Sequence, residues 1–391
     1  MTLTVGPSFS AAGGIPPRCT PFLVYRDRIG APSELAFLRR QYIGFTRLEP
    51  VWTGRLLLPQ ATEVGSHLLR IGGDGPLGPL RRLLFRYCGV APTIPFEGLA
   101  PVVHAQFARG GALALPLVRA LNASLVVTLH GGDVGKDKNW SGTLLARRWA
   151  AVIEATRHFV CVSAAVADVA ARRGVPEGKL VVLPIGVEVP DARPFPLSAP
   201  TYHLFVGRFV EKKGIPAIAD AVRRLRADGD MTPVVFVGDG PLRPMLEALT
   251  RDVSGIELAG WLTPDAVRAR MAGAWSLLVP SVIAANGDTE GLPSVVPEAM
   301  AQGCAVIGSD EGGIAEAIRH KVTGLLVPPG DAAALADAMR DVGDPTTRNR
   351  LGLAGFQAAS TDLNARLQSL KLENFLLEAA AEGASPASAT L

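Results

Sequence analysis

The sequence predicts an α/β protein made of two doubly wound parallel-sheet domains facing each other across a central cleft. Three observations predict it. Short continuous apolar runs alternate with helical patterns along the chain, as parallel strands buried on both faces require. The pattern occurs twice. Between its two occurrences lies VPDARPFPLSAPTY, with prolines at 190, 194, 196 and 200, a linker by composition.

In chain order, PFLVY, PVVHAQ, SLVVTLH, HFVCVS and KLVVLPIG are the strands of the first half. TLLARRWAAVIEAT and AAVADVAARRG are the helices between the later ones. In the second half TYHLFVG, TPVVFVGDG, GIELAGW, WSLLVPS, AVIGSD and GLLVPPGD are strands. The helices there are IPAIADAVRRLRADG, PLRPMLEALTRDV, PDAVRARMAGA, EAMAQG, GIAEAIRH and DAAALADAMRDV. Ligands of such sheets bind at the carboxyl ends of strands, so the loops after strands are where chemistry is expected. The tail EGASPASATL reads as disordered.

The chain has 391 residues, 48% of them apolar, enough for two separate cores. Four scattered cysteines, Cys19, Cys88, Cys161 and Cys304, show no metal or disulfide spacing and suit a reducing compartment. The start MTLTVGPSFSAAGG lacks a basic region followed by an apolar run, so no signal peptide is expected. No window approaches the ~18 apolar residues of a membrane span. Charge is asymmetric. Residues 1–195 hold 22 Lys and Arg against 13 Asp and Glu, net +9, and the remainder 17 against 23, net −6. A basic half suits an anionic lipid surface, a diphosphate-linked substrate or nucleic acid. It also suits plain arginine enrichment. No aromatic residues interleave with the arginines as a nucleic-acid platform needs.

Three stretches could carry chemistry. In HLFVGRFVEKKGIPAIADA (203–221) a strand ends before Gly207, Arg208 projects from its end, and Lys212 and Lys213 precede a helix. Arg and Lys beside a helix start suit a diphosphate, although an isolated R-x-x-x-K-K is more often a solvated basic loop. In TLHGGDV (128–134) a strand closes on His130, with two glycines and Asp133 behind it. That is a ligand position or a structural histidine. For His104, in PVVHAQF, the structural reading is favoured. In GDTEGLPSVVPEAM (287–300) Glu290 lies at the mouth of a helix that carries Glu298. The amides of Leu292, Ser294 and Val295 would be free there to meet an anion. The carboxylates suit vicinal hydroxyls, or else are a helix-dipole partner and a surface residue. Pro297 is harmless only inside the first turn of that helix.

VGRFVEKKG, VGDGPL, PSVIAANGDTEGLPSVVPEAMAQGCAVIGS, EGGIAEAI and GLLVPPGD, in this order, resemble the retaining glycosyltransferases of family 4, whose GT-B fold has two Rossmann-like domains. PSELAFLRRQ, HAQF, TLHGGDV and VCVSAAV extend the resemblance through the first half. The ANGDTEG loop and the SELAFLRRQ segment in particular resemble bacterial exopolysaccharide transferases of the colanic acid and amylovoran type.

The resemblance implies an acceptor domain over 1–195, rejoined by a C-terminal helix over 355–380, a donor domain over 200–354, and a tail over 381–391. It implies that Arg208 and Lys213 bind the donor diphosphate and steady the leaving charge. Glu290 would contact donor-sugar hydroxyls, Glu298 the ribose, and His130 the sugar near the reacting carbon. The amides around Leu292 and Ser294 would face the phosphates, Gly207 and Gly291 would belong to the same donor site, and Gly238 and Leu262 would lie against the nucleotide. Transfer would retain anomeric configuration without metal or cofactor, the nucleotide sugar being a co-substrate. A UDP-sugar is favoured as donor, with GDP-mannose the other choice. The acceptor would be a lipid-linked or saccharide precursor, and the enzyme cytoplasmic, peripheral at the inner membrane face, with no nucleic-acid partner. Two other readings stay open: a sugar synthase or phosphorylase with a soluble acceptor, and a silent nucleotide-sugar-binding protein.

Overall fold

The computed structural model describes residues 19–383, apart from 33, 95–96, 136–141, 194–200 and 286–289. Most of the expected linker prolines, four residues of the ANGDTEG loop and the tail from 384 lie outside the described residues. The chain divides into two units. The first is Met1–Cys161, Val169–Leu183 and Arg366–Leu391, and the second is Val162–Asp168 and Pro184–Ala365.

The first unit holds β1 (Thr20–Tyr25), β2 (Arg28–Ile29), β3 (Leu48–Gly54), β4 (Leu56–Leu57), β5 (Leu68–Arg70), β6 (Val102–Gln106), β7 (Ser124–Leu129), β8 (Thr156–Cys161) and β9 (Leu180–Val182). Seven of them form a sheet ordered β5-β3-β1-β6-β7-β8-β9, with β2 and β4 paired apart. The second unit holds β10 (His203–Val206), β11 (Val234–Val237), β12 (Ile256–Gly260), β13 (Ser276–Val279), β14 (Ala305–Ser309) and β15 (Leu325–Val327). Their order is β12-β11-β10-β13-β14-β15, and every pair is parallel. The order reverses between β10 and β13, and in the first sheet between β1 and β6. Those switch points are where doubly wound sheets bind ligands.

The second sheet shows why its strands read as unbroken apolar runs. Phe205, Phe236, Leu278 and Ile307 enter one core cluster. Their neighbours Leu204, Val235, Leu277 and Val306 enter another. Successive side chains point to opposite faces, and both faces are covered.

Two elements had no such signature. β3 reads LEPVWTG, and proline argues against an interior strand. Here it is tolerated for a local reason. The β3 amide that reaches β5 is that of Trp52, donating to His67 O at 2.8 Å, and β5 pairs only with Trp52–Gly54. The amide missing at Pro50 would point to the same side, where no strand runs. The helix Ala108–Leu121 contains Pro116, which leaves the carbonyl of Ala112 without its helical donor. Arg148 Nη1 supplies one at 3.1 Å.

The segment expected as one helix over 355–380 is two. The helix Pro345–Thr361 lies in the second unit, and Ala365–Gly383 returns to the first. They are separated where Val187 N donates to Leu363 O at 2.7 Å and Ala365 N to Val187 O at 2.8 Å. The returning helix buries Leu372 and Leu376 in the first unit's core. Its fully buried Glu373 accepts from the amides of Thr46, Arg47 and Leu48 at 2.9, 2.7 and 2.9 Å.

Candidate functional site

At the switch point of the second sheet three loops are tied together. Beyond β10, Phe209 N donates to Asp239 O at 2.8 Å and Leu242 N to Phe209 O at 3.0 Å, which locks the loop after β10 to the VGDGPL turn after β11. Gly238 has φ +132, and a Cβ there would lie 2.0 Å from Gly207 O. The turn Glu211–Lys213 ends at Gly214, with φ +66 and a Cβ position 1.7 Å from Pro280 O beyond β13. No other residue fits either position. Gly214→Ala should destabilise the second unit by at least about 2 kcal/mol, read as a lower urea midpoint. An unchanged midpoint would show that the close approach to Pro280 is relaxed in solution.

This closure brings the basic turn onto the first glutamate. Lys212 Nζ and Lys213 Nζ lie 3.1 and 3.2 Å from Glu290 Oε1, all three side chains being largely buried. Burial alone would raise the Glu290 carboxyl, but Lys213 and then Lys212 outweigh it and hold it below its ordinary value. Two ammonium groups meet one carboxylate there. Lys213 runs over Gly207, its Cε 3.5 Å from where a Cβ would stand. Arg208 is exposed beside it, with no ion pair among the described residues.

After Glu290 the chain passes Gly291, whose carbonyl lies 1.9 Å from the Cβ position of Gly313, and enters the helix Val295–Ala301. Val296 N donates to Pro293 O and Glu298 N to Ser294 O. The amides of Leu292, Ser294 and Val295 donate to no described residue, so three donors stand at this helix start. Pro297 falls inside the first turn, where its missing amide breaks no bond. Glu298 is half-buried on the helix, and Leu262 is half-buried against the core.

The first unit places His130 at the end of β7. His130 N donates to Asp133 Oδ1 at 3.0 Å, and Asp133 Oδ2 accepts from Ala108 N at 2.8 Å. The ring packs against Phe107 and Phe37, with centroids 4.2 and 5.1 Å away. Phe107 has φ +67, a strained value for an aromatic residue. Arg26, held by Glu34 at 2.9 and 2.6 Å, covers the Phe107 ring at 4.1 Å. Burial, with Arg26 and His104 adding to it, pushes the His130 imidazole down to about 3, so it is neutral at neutral pH.

Behind His130 lies a buried chain. His130 Nε2 meets Gln106 Oε1 at 2.9 Å. Gln106 Nε2 donates to Tyr42 Oη at 2.7 Å and to Gln41 Oε1 at 3.2 Å. Tyr42 Oη meets His104 Nδ1 at 2.8 Å, and His104 Nε2 meets Thr128 Oγ1 at 2.7 Å. His104 is fully buried, the structural role expected of it. Gln106, Tyr42, Gln41 and Phe107 escaped the sequence reading. The only available signal was the alternation of polar His104 and Gln106 in a run otherwise suited to a buried strand.

Two family models match the chain: Glycosyltransferase Family 4 over residues 72–190 and Glycosyl transferases group 1 over residues 200–344. The amylovoran biosynthesis glycosyltransferase AmsK of Erwinia amylovora is 29% identical over 297 residues, covering 72% of this chain and 70% of the relative. The GDP-mannose-dependent alpha-(1-6)-phosphatidylinositol monomannoside mannosyltransferase of Mycobacterium tuberculosis is 29% identical over 303 residues, covering 73% of this chain and 75% of that one. HepE of Anabaena, solved in complex with UDP, has a TM-score of 0.72 at 15% identity, over 92% of this chain and all of that one. That likeness shows the GT-B fold.

Proposed function

The chain belongs to glycosyltransferase family 4, and we propose that it moves a hexose from a nucleotide sugar, with retention, onto a lipid-linked oligosaccharide or polysaccharide precursor of an exopolysaccharide. The observation that carries this reading is the convergence of Lys212, Lys213 and Glu290 with three unbonded amides at one switch point. Lysine ammonium groups and amide donors suit a diphosphate whose negative charge grows as the sugar leaves. In this reading Arg208 and Lys213 hold that charge, the amides at Leu292 and Ser294 face the phosphates, and Glu290 and Glu298 take sugar and ribose hydroxyls. His130, neutral and packed against two aromatic rings, can accept a hydrogen bond from a sugar hydroxyl without adding charge. No protein-bound metal is needed for this chemistry.

The exopolysaccharide acceptor is supported by the relative in amylovoran biosynthesis. A membrane-held acceptor places the enzyme at the inner face of the cytoplasmic membrane. We favour a UDP-sugar as donor. The thermal midpoint with UDP, UDP-glucose, GDP and GDP-mannose tests this. A uridine ligand at a hundred times its dissociation constant should stabilise by about 2.7 kcal/mol. A shift with guanosine ligands alone would change the base, and no shift with any of the four would sink the nucleotide-sugar reading.

A further inference from the structure

We propose that Arg26 and Glu34 together bind two neighbouring hydroxyls of a neutral acceptor saccharide, and so select the acceptor. This recognition rests on the transfer reading above and supplies contacts for its second substrate. Both residues stand at the switch point of the first sheet, where doubly wound sheets take ligands. Arg26 follows β1, Phe107 follows β6 and His130 follows β7. Glu34 precedes the helix Leu35–Arg40, in the SELAFLRRQ stretch to which the donor site gives no role.

The Arg26 guanidinium is held in place. Its Nε and Nη2 donate to Glu34 at 2.9 and 2.6 Å, and it covers the Phe107 ring at 4.1 Å. The backbone is fixed too: Arg26 N donates to Thr53 O at 3.0 Å, and a Cβ on Gly54 would collide with Arg26 O. Phe107 keeps its ring at φ +67, where a glycine would relieve the strain. The ring is therefore what this position supplies, as a platform for Arg26 and a wall for His130, whose centroid is 4.2 Å away. Phe37, on the helix that follows Glu34, packs on both rings, with centroids at 6.3 and 5.1 Å. The pair thus stands beside the histidine that the transfer reading sets at the reacting sugar, where the acceptor hydroxyl must arrive.

Hydrogen-bonding capacity is left over on both side chains. Each Glu34 oxygen accepts once from Arg26, and the side chain makes no capping bond to its helix, so lone pairs remain. Arg26 Nη1 has no hydrogen-bond partner among the described residues. A fixed acceptor beside a fixed donor suits a vicinal diol: one hydroxyl donates to the carboxylate, and its neighbour accepts from the guanidinium. The two charges offset each other, which favours a neutral sugar, because an anionic one would meet Glu34 as well as Arg26. Each side chain is 18% exposed, open to a ligand yet shielded enough for charged hydrogen bonds to discriminate.

Nucleotide release tests this, with UDP-glucose or GDP-mannose, whichever stabilises the protein. Slow wild-type release in water alone should be quickened by at least one of the methyl glycosides of glucose, galactose and mannose. Glu34→Gln should raise KM for that glycoside by about tenfold to a hundredfold. Its release in water alone, and its thermal shift with the donor, should stay within about twofold of wild type. Arg26→Lys keeps the ion pair and loses the fork. It should hold the thermal midpoint and still raise KM several-fold, which a mere loop staple would not do. KM unchanged in both variants overturns the proposal, whatever happens to their midpoints. So does an equal loss of release in water, which would place the pair on the donor. A wild type quickened by no neutral glycoside, or by methyl glucuronoside alone, overturns it as well. In all these cases the transfer reading stands; a wild type that releases no nucleotide under any condition removes that reading, and the proposal with it.

Discussion

Lys213→Ala should lower kcat/KM for sugar transfer by about two to three orders of magnitude, the usual cost of removing one group that steadies transition-state charge. The fold should survive. Glu290 keeps Lys212 at 3.1 Å, so no carboxylate is left buried alone. Lys213→Arg, which keeps the charge but changes its shape, should recover part of the rate. Lys212→Ala should cost less, because Lys213 is the residue laid over Gly207 at the strand end. The pH dependence of stability adds a check on the pair. The Glu290 carboxyl is held below its ordinary value. Its stabilising contribution is therefore complete above the unfolded-state pKa and is lost as pH falls through the lower folded-state value. Wild-type protein should lose that contribution only in the acid range below the ordinary 4.5, and Glu290→Gln should lack it at every pH. Rates of Lys213→Ala within about threefold of wild type would remove Lys213 from the diphosphate.

Much of the fold was legible because a strand covered on both faces is apolar at most of its positions. His203–Val206 and Val234–Val237 could be read alone. β3 could not, because Pro50 is tolerated only through where β5 stops, a fact of pairing and not of local sequence. The helix Ala108–Leu121 hid behind Gly110, Gly111 and Pro116 for the same reason: its repair comes from Arg148, distant in sequence. The site divides likewise. Arg208, Lys213, Glu290 and Glu298 could be marked as candidates by residue type, and only the family resemblance gave them roles. That Glu290 pairs with both lysines depends on Gly214 meeting Pro280, which no spacing reveals. The support of His130 is assembled from positions 41, 42, 104, 106 and 128, so only the folded sheet shows it.

That support should be measurable as a change in pH profile. In its self-consistent direction the chain has Gln106 Nε2 donating to Tyr42 and Gln41, which leaves Oε1 to accept hydrogen bonds from His130 Nε2 and Gln41 Nε2. His130 is then a donor at Nε2 and an acceptor at Nδ1. Gln106→Leu removes the acceptor and leaves buried donors unsatisfied, a loss of about 1–3 kcal/mol. Where this misplaces the imidazole, kcat should fall by about tenfold to a hundredfold. Gln106→Glu is the sharper probe, because it keeps the shape and adds a carboxylate beside Nε2. Wild-type His130, pushed down to about 3, stays neutral, so its protonation adds no slope to kcat at about pH 6 to 8. An opposite charge at hydrogen-bond distance favours the imidazolium and raises its pKa. The Glu variant should therefore gain an acid limb. Its activity should fall as pH drops through the raised value, because a protonated ring has no acceptor left to offer the sugar. Restored rate at high pH in the Glu variant, but not in the Leu variant, would mark Gln106 as a positioning residue that acts through the His130 tautomer. A flat profile with wild-type kcat in both variants would reduce the chain to packing.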